Sequence, residues 1–89
     1  MTAVADAAVA ERVRGLIQRM APDAQAAAED EQRLIEDLGF DSLRLMELTV
    51  VLERSFDLPR YRPEQLVGVR RVGEVITLVA ATLAVEGRA

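Results

Sequence analysis

The 89-residue chain contains no cysteine and no histidine, no tryptophan and no lysine. Without cysteine there is neither a disulfide framework nor a thiolate metal site. Without histidine as well, zinc ligation and the usual general-base chemistry at neutral pH are excluded. Aromatic residues are scarce, only Phe40, Phe56 and Tyr61, so a nucleic-acid surface would lack its stacking platforms. The first twenty residues carry Asp6, Glu11, Arg12, Arg14 and Arg19, which rules out a signal-peptide apolar run there, and no stretch approaches the length of a membrane span.

What remains is mostly aliphatic. Hydrophobic residues make up 51% of the chain, and they never alternate with polar ones over a strand's length, so the sequence reads as packed helices. All eleven basic residues are arginine, against fifteen acids, giving a net charge of −4. Seven of the acids fall between Glu29 and Glu47, against Arg33 and Arg44 only. Arg60, Arg62, Arg70 and Arg71 form a local basic cluster that reads as solvated surface, because a net acidic chain is a poor nucleic-acid ligand.

The periodicity predicts an all-α fold of three long helices and one short. Val9, Val13, Leu16, Ile17 and Met20 form the stripe of a first helix over about 5–20, with Asp6 as an anion near its start and Pro22 as its stop. A second helix is expected over about 41–56. Its first stripe is Leu45, Leu48, Leu52 and Phe56, and Pro59 is expected to end it. Its second stripe, Leu43, Met46 and Val50, implies either burial nearly all round or a surface that a partner covers. Pro63 and Glu64 suit the start of a short third helix over 63–67. Val72, Val75, Ile76, Val79 and Leu83 predict a fourth over 72–85. The loop between the first two helices is long, and long loops usually have a job. Leu34 and Leu38 are expected to pin it to the core through a helical turn.

The junction Gly39-Phe40-Asp41-Ser42-Leu43 joins that loop to the second helix. Glycine permits a turn of positive φ, and both Asp41 and Ser42 are good helix caps. Capping alone accounts for the pair. The same place also suits an anion on the Ser42 oxygen, which would face the positive end of the helix.

Asp37-Leu38-Gly39-Phe40-Asp41-Ser42-Leu43, followed by Glu47-Leu48, Leu52-Glu53 and Phe56, resembles the attachment motif of the acyl carrier protein family. Downstream, Pro63-Glu64-Gln65-Leu66 and Arg71-Val72-Gly73-Glu74-Val75 resemble that family's short third helix and the beginning of its fourth. The resemblance implies an acyl-carrier-like four-helix bundle occupying residues 1–89 as a single carrier domain. It implies 4′-phosphopantetheine, donated by coenzyme A and held on Ser42, whose thiol carries cargo as a thioester. Gly39 and Asp41 would belong to the attachment site, Asp41 aiding recognition by the phosphopantetheinyl transferase. Leu43, Met46, Glu47 and Val50 would form the docking face, with Glu36 and Asp37 adding attraction to basic partners. Those partners would be the transferase, an acyl- or aminoacyl-loading enzyme, and ketosynthase, condensation or tailoring enzymes. No catalytic residue and no metal is expected, and the protein would be a cytosolic monomer.

Carriers of bulk fatty-acid synthesis usually have an acid soon after the Ser-Leu pair, where this chain has Arg44; Arg54 likewise answers Glu53. The second helix is thus formally neutral, which turns the expectation towards a specialised polyketide or hybrid polyketide/peptide pathway. Peptidyl carriers more often have a second glycine where Phe40 stands, which leans towards acyl cargo, with an aminoacyl carrier as the alternative. An unmodified helical interaction module is the other alternative, and it predicts Ser42 to be an ordinary buried cap. A hydrolase would need a base beside Ser42, and no histidine is present.

Overall fold

The computed structural model describes residues 2–22, 28–62, 65 and 68–85, with the side chains of 2–6 left aside. Three helices are present among them: α1 (Thr2–Met20), α2 (Ser42–Phe56) and α3 (Val72–Val85). Of the short helix expected over 63–67, only Gln65 is described, so the remainder of that expectation lies outside the described residues. No described helix is long and apolar enough to cross a membrane.

The apolar stripes meet in one core. Val13 and Ile17 of α1, Leu48, Leu52 and Phe56 of α2, and Val72, Val75, Val79 and Leu83 of α3 are buried together, joined by Ala28, Leu34, Leu38 and Phe40 from the long loop. Each fully buried aliphatic or aromatic side chain contributes about 1.5–3 kcal/mol, set against the entropy of ordering the chain.

α1 begins at Thr2, earlier than the pattern suggested, so no acid falls in its first turn and Asp6 lies beyond it. α2 ends one step earlier than proline demands. Asp57 takes a left-handed conformation (φ 55°, ψ 52°) at its C-cap, and the Leu58 N–H donates to the Glu53 carbonyl at 2.8 Å, a Schellman-type closure. Pro59 follows a helix already stopped.

Two arginines cross-link α1 and α2 reciprocally. Arg12 of α1 donates from Nη2 to the Ser55 carbonyl at the C-terminal end of α2 (2.9 Å) and stacks 4.4 Å from the Phe56 ring centroid. Arg44 of α2 donates from Nη1 to the Met20 carbonyl at the end of α1 (3.1 Å). Each cation sits where the other helix leaves carbonyls unpaired and its dipole is negative.

The long loop is stitched to the start of α3. Leu34 N–H donates to Arg70 O (2.9 Å), Val72 N–H to Gln32 O (3.0 Å) and Gly73 N–H to Asp30 O (3.0 Å), around an isolated antiparallel bridge between Arg33 and Arg71. A side chain at Gly73 would bring its Cβ to 3.2 Å from the Asp30 Cβ and 3.3 Å from the Asp30 carbonyl, a tight approach that the loop would have to ease by a few tenths of an ångström to admit. Glu74 completes the junction: its Oε1 accepts from the backbone N–H of Arg70 (2.7 Å) and Arg71 (2.9 Å), the back-reaching half of a capping box. Those two bonds, that from Arg70 foremost, hold the Glu74 carboxyl below its ordinary range.

Candidate functional site

The loop delivers its chain to α2 through a short sequence of enforced steps. Asp37 N–H and Leu38 N–H both reach the Arg33 carbonyl (3.0 and 3.1 Å), and Gly39 N–H reaches that of Ile35 (3.2 Å). This turn buries Leu34 and Leu38 at 2% exposure and leaves Ile35 at 55%. Gly39 then adopts φ 82°, a conformation nearly barred to residues with a Cβ. That reversal drops Phe40 into the core, 2% exposed, with its N–H on the Leu34 carbonyl at 2.9 Å. Asp41 and Ser42 are thereby set on the rim.

The structure divides the two capping candidates. Asp41 is the N-cap, in extended conformation, and its Oδ1 accepts from the Arg44 N–H at 2.8 Å. Ser42 is the first helical residue and is exposed. Its hydroxyl is not needed to cap α2, contrary to the buried cap that an unmodified module requires. The first-turn N–H groups of a helix have no partner inside it, and their dipole favours an anion. The chain's other serine, Ser55, lies in the last turn of α2, half-buried, where a phosphate would face the negative end. An exposed hydroxyl at the positive end of a helix fits a phosphodiester; the one at the opposite end does not.

The remaining expected site residues lie beside this rim. Leu43, Met46 and Val50 are 66%, 65% and 46% exposed, so the second stripe of α2 is uncovered and is not core. Glu47 and Glu36 are also exposed. Asp37 is exposed but engaged. Its Oδ2 accepts from the Arg33 N–H (2.7 Å) and Nε (3.2 Å), and its Oδ1 from Nη2 (3.2 Å). The guanidinium hydrogen bond, then the backbone one, hold its carboxyl below the usual range. Arg33 therefore offsets much of the charge that Asp37 would offer a partner.

Two electrostatic readings of α2 change. Arg44 is tied to Met20 and serves the helix pair, so it does not simply cancel an acid on the outer face. Glu53 does not answer Arg54: its Oε2 accepts from the Tyr61 N–H at 2.8 Å.

Inside the rim lies an apolar cavity of about 100 Å³, lined among others by Leu45, Met46, Leu52, Val69, Val75 and Leu78. Tyr61 closes one side, its hydroxyl donating to Thr82 Oγ1 (3.0 Å), which donates to the Leu78 carbonyl (2.8 Å). Burial pushes the Tyr61 hydroxyl's pKa up, so it stays a neutral donor. Helical periodicity finds Leu45, Met46, Leu52 and Val75, but not Tyr61, Val69 or Leu78, and it cannot show that these residues leave a space.

The sequence matches the family of the phosphopantetheine attachment site over residues 11–79. The chain belongs to the acyl carrier proteins. It is 40% identical over 68 residues to the acyl carrier protein of Campylobacter concisus, covering 73% of this chain and 87% of that one. It is 33% identical over 76 residues to acyl carrier protein 2 of Ralstonia nicotianae, covering 85% and 93%. A solved structure from Mycobacterium tuberculosis, assigned as an acyl carrier protein, superposes with a TM-score of 0.73 at 34% identity, over 82% of this chain and 96% of that one. The all-α fold is thus that of an acyl carrier protein, and the family's prosthetic group is 4′-phosphopantetheine. The chain is a carrier and not an enzyme, and the family's partners are a phosphopantetheinyl transferase and acyl-handling enzymes.

Proposed function

We propose that Ser42 is the attachment residue, and that this single carrier domain presents acyl thioesters to the enzymes of a specialised polyketide or hybrid polyketide/peptide pathway in the cytosol. One observation carries the attachment site: of two serines, Ser42 alone is exposed at the positive end of a helix. The Oγ of Ser42 would attack the phosphorus that bears the pantetheine, losing its proton as the Ser–O–P bond forms and the P–O bond of coenzyme A's pyrophosphate breaks, with adenosine 3′,5′-bisphosphate leaving. The bound arm supplies a thiol, which this chain lacks, to hold cargo as a thioester. Asp41 fixes the first turn of α2 and so orients Ser42, while Leu43, Met46, Glu47 and Val50 offer the adjoining docking face, with Glu36 and Asp37 on the neighbouring loop. Contacts with ketosynthase, condensation or tailoring enzymes would be small and transient, below about 1,200 Å² of total buried surface.

The apolar lining of the inner cavity favours an aliphatic cargo over an aminoacyl one, since an ammonium group there would be desolvated without a partner. Arg44, by its engagement with α1, leaves Glu47 to set the charge near the docking stripe. The experiment is modification with coenzyme A and a promiscuous transferase, followed by fragment mass mapping. The added group is expected on the peptide containing Ser42. Its appearance on the Ser55 peptide would refute the assignment. For cargo, loading with butyryl or hexanoyl arms is expected to raise the melting temperature above that with an alanyl arm; equal values would count against the acyl reading.

A further inference from the structure

Tyr61 stands between two cavities of opposite character. On one side is the apolar inner cavity of about 100 Å³. On the other is an outer cavity of about 480 Å³, bounded by Pro59, Arg60, Arg62, Gln65 and Thr82. Tyr61 lines both. A core side chain is normally held by the atoms packed around it. With a cavity on each side, the Tyr61 ring depends more on its hydrogen bonds. Its N–H donates to Glu53 Oε2 of α2 (2.8 Å), and its hydroxyl donates to Thr82 Oγ1 of α3 (3.0 Å). The residue is pinned at both ends.

The inner cavity has a direction. Its α2 lining runs from Leu45 and Met46 to Leu52. Met46 is 65% exposed and lies four residues from Ser42, hence beside it on the helix surface. Leu52 adjoins Glu53, which holds Tyr61. A chain tethered at Ser42 therefore enters beside Met46 and meets Tyr61 at the far end. The room between is small: an apolar cavity of about 150 Å³ holds a six-carbon ring, so one of about 100 Å³ holds about four carbons. Elsewhere the wall is thicker. Leu34, Leu45 and Val69 together divide the inner cavity from another on the loop side, beside Arg70, and the Leu34 N–H to Arg70 carbonyl bond (2.9 Å) ties that wall. At the far end, among the described residues, a single ring does the dividing.

We infer that Tyr61 is the chain-length stop of this carrier, locked by Thr82, and that it limits the sheltered part of an acyl cargo to about four carbons. The inference rests on the acyl thioester reading of Ser42. A longer chain must leave its last carbons in water or push the ring off Thr82, towards Arg60 and Arg62. Neither course gives those carbons apolar contact. Tyr61 and Thr82 lie outside the attachment motif, so cargo length is set by the segment after α2 and by α3. Loss of the tyrosine hydroxyl leaves Thr82 bonded, because Thr82 still donates to the Leu78 carbonyl (2.8 Å). Tyr61→Phe thus removes the lock without orphaning a buried group.

The test loads the parent, Tyr61→Phe and Tyr61→Leu with saturated arms from acetyl to dodecanoyl, after fragment mass mapping has placed each arm on Ser42. The melting temperature of each is read against the holo form of the same protein, so a general loss of stability in a variant cancels. In the parent the rise is expected to grow as far as hexanoyl and then level off, since a methylene stabilises only where it finds apolar room. In both variants it is expected to go on growing through octanoyl. In the parent, NMR contacts are expected from the terminal methyl of a hexanoyl arm to the Tyr61 ring and Leu78. A rise in the parent that continues to dodecanoyl, variants that level off at the parent's length, or a terminal methyl without contact to Tyr61 would overturn the stop alone. No rise with any chain in any of the three proteins would overturn the acyl reading and the stop with it.

Discussion

Replacing glycine by alanine is expected to have opposite signs at two positions of this chain. Gly39 sits at φ 82°, where a Cβ costs about 1–2 kcal/mol. Gly15 lies inside α1, and a Cβ there meets nothing within 4 Å. In that setting alanine gains about 0.5–1 kcal/mol through a smaller loss of backbone freedom. One kcal/mol moves the melting temperature of a domain this size by about 4–8 °C. Gly39→Ala should therefore melt about 4–16 °C lower, and Gly15→Ala about 2–8 °C higher, by circular dichroism at neutral pH. Gly39→Ala should also be modified more slowly by the transferase, because the turn that sinks Phe40 is what sets Ser42 on the rim. Gly15→Ala should be modified at the parent rate. Shifts of the same sign, or a Gly39→Ala protein as stable and as readily modified as its parent, would refute the argument from the turn.

Arg44→Ala is expected to lose about 0.5–1 kcal/mol in urea unfolding, the value of an exposed charged hydrogen bond to Met20; no loss would mean that the clamp is idle. Leu48→Ala, at a position 2% exposed, should lose about 2–5 kcal/mol by the same assay. Asp37 and Glu74 both have folded pKa values depressed below their ordinary 3.8 and 4.5. Their stabilisation is therefore present above those values and lost as pH falls through the depressed ones. Stability should hold from neutral to about pH 5 and decline below about 4, and Glu74→Gln should flatten that decline; an unchanged acid limb in the variant would contradict the capping role.

Much of the architecture is legible in the sequence because burial follows period. The stripes of α1, α2 and α3 contain their buried residues, and Leu34 and Leu38, four apart, both reach the core. The spacing also separates Leu43, Met46 and Val50 as a face of their own, and the structure leaves that face exposed. What the spacing does not carry is the work of individual polar groups. Asp41 and Ser42 are equal capping candidates by residue type, and only the backbone geometry gives the cap to Asp41 and frees Ser42. Arg44 and Glu53 read as neighbours of charges along α2, whereas their partners, Met20 and Tyr61, come from other segments. Asp57 is hard to foresee as a left-handed cap when Pro59 already offers a stop. Arg70 belongs to a basic cluster in the sequence and acquires its place at a cavity only when Leu34 N–H binds its carbonyl.

The central claim is that Ser42 is the covalent anchor of the carrier, and intact mass tests it most directly. The parent protein, Ser42→Ala and Ser55→Ala are each incubated with coenzyme A and a promiscuous phosphopantetheinyl transferase, beside a carrier known to be modified. One phosphopantetheine addition to the parent and to Ser55→Ala, with none to a folded Ser42→Ala, is the predicted result. Addition to Ser42→Ala, or none to the folded parent while the control carrier is modified, would contradict it.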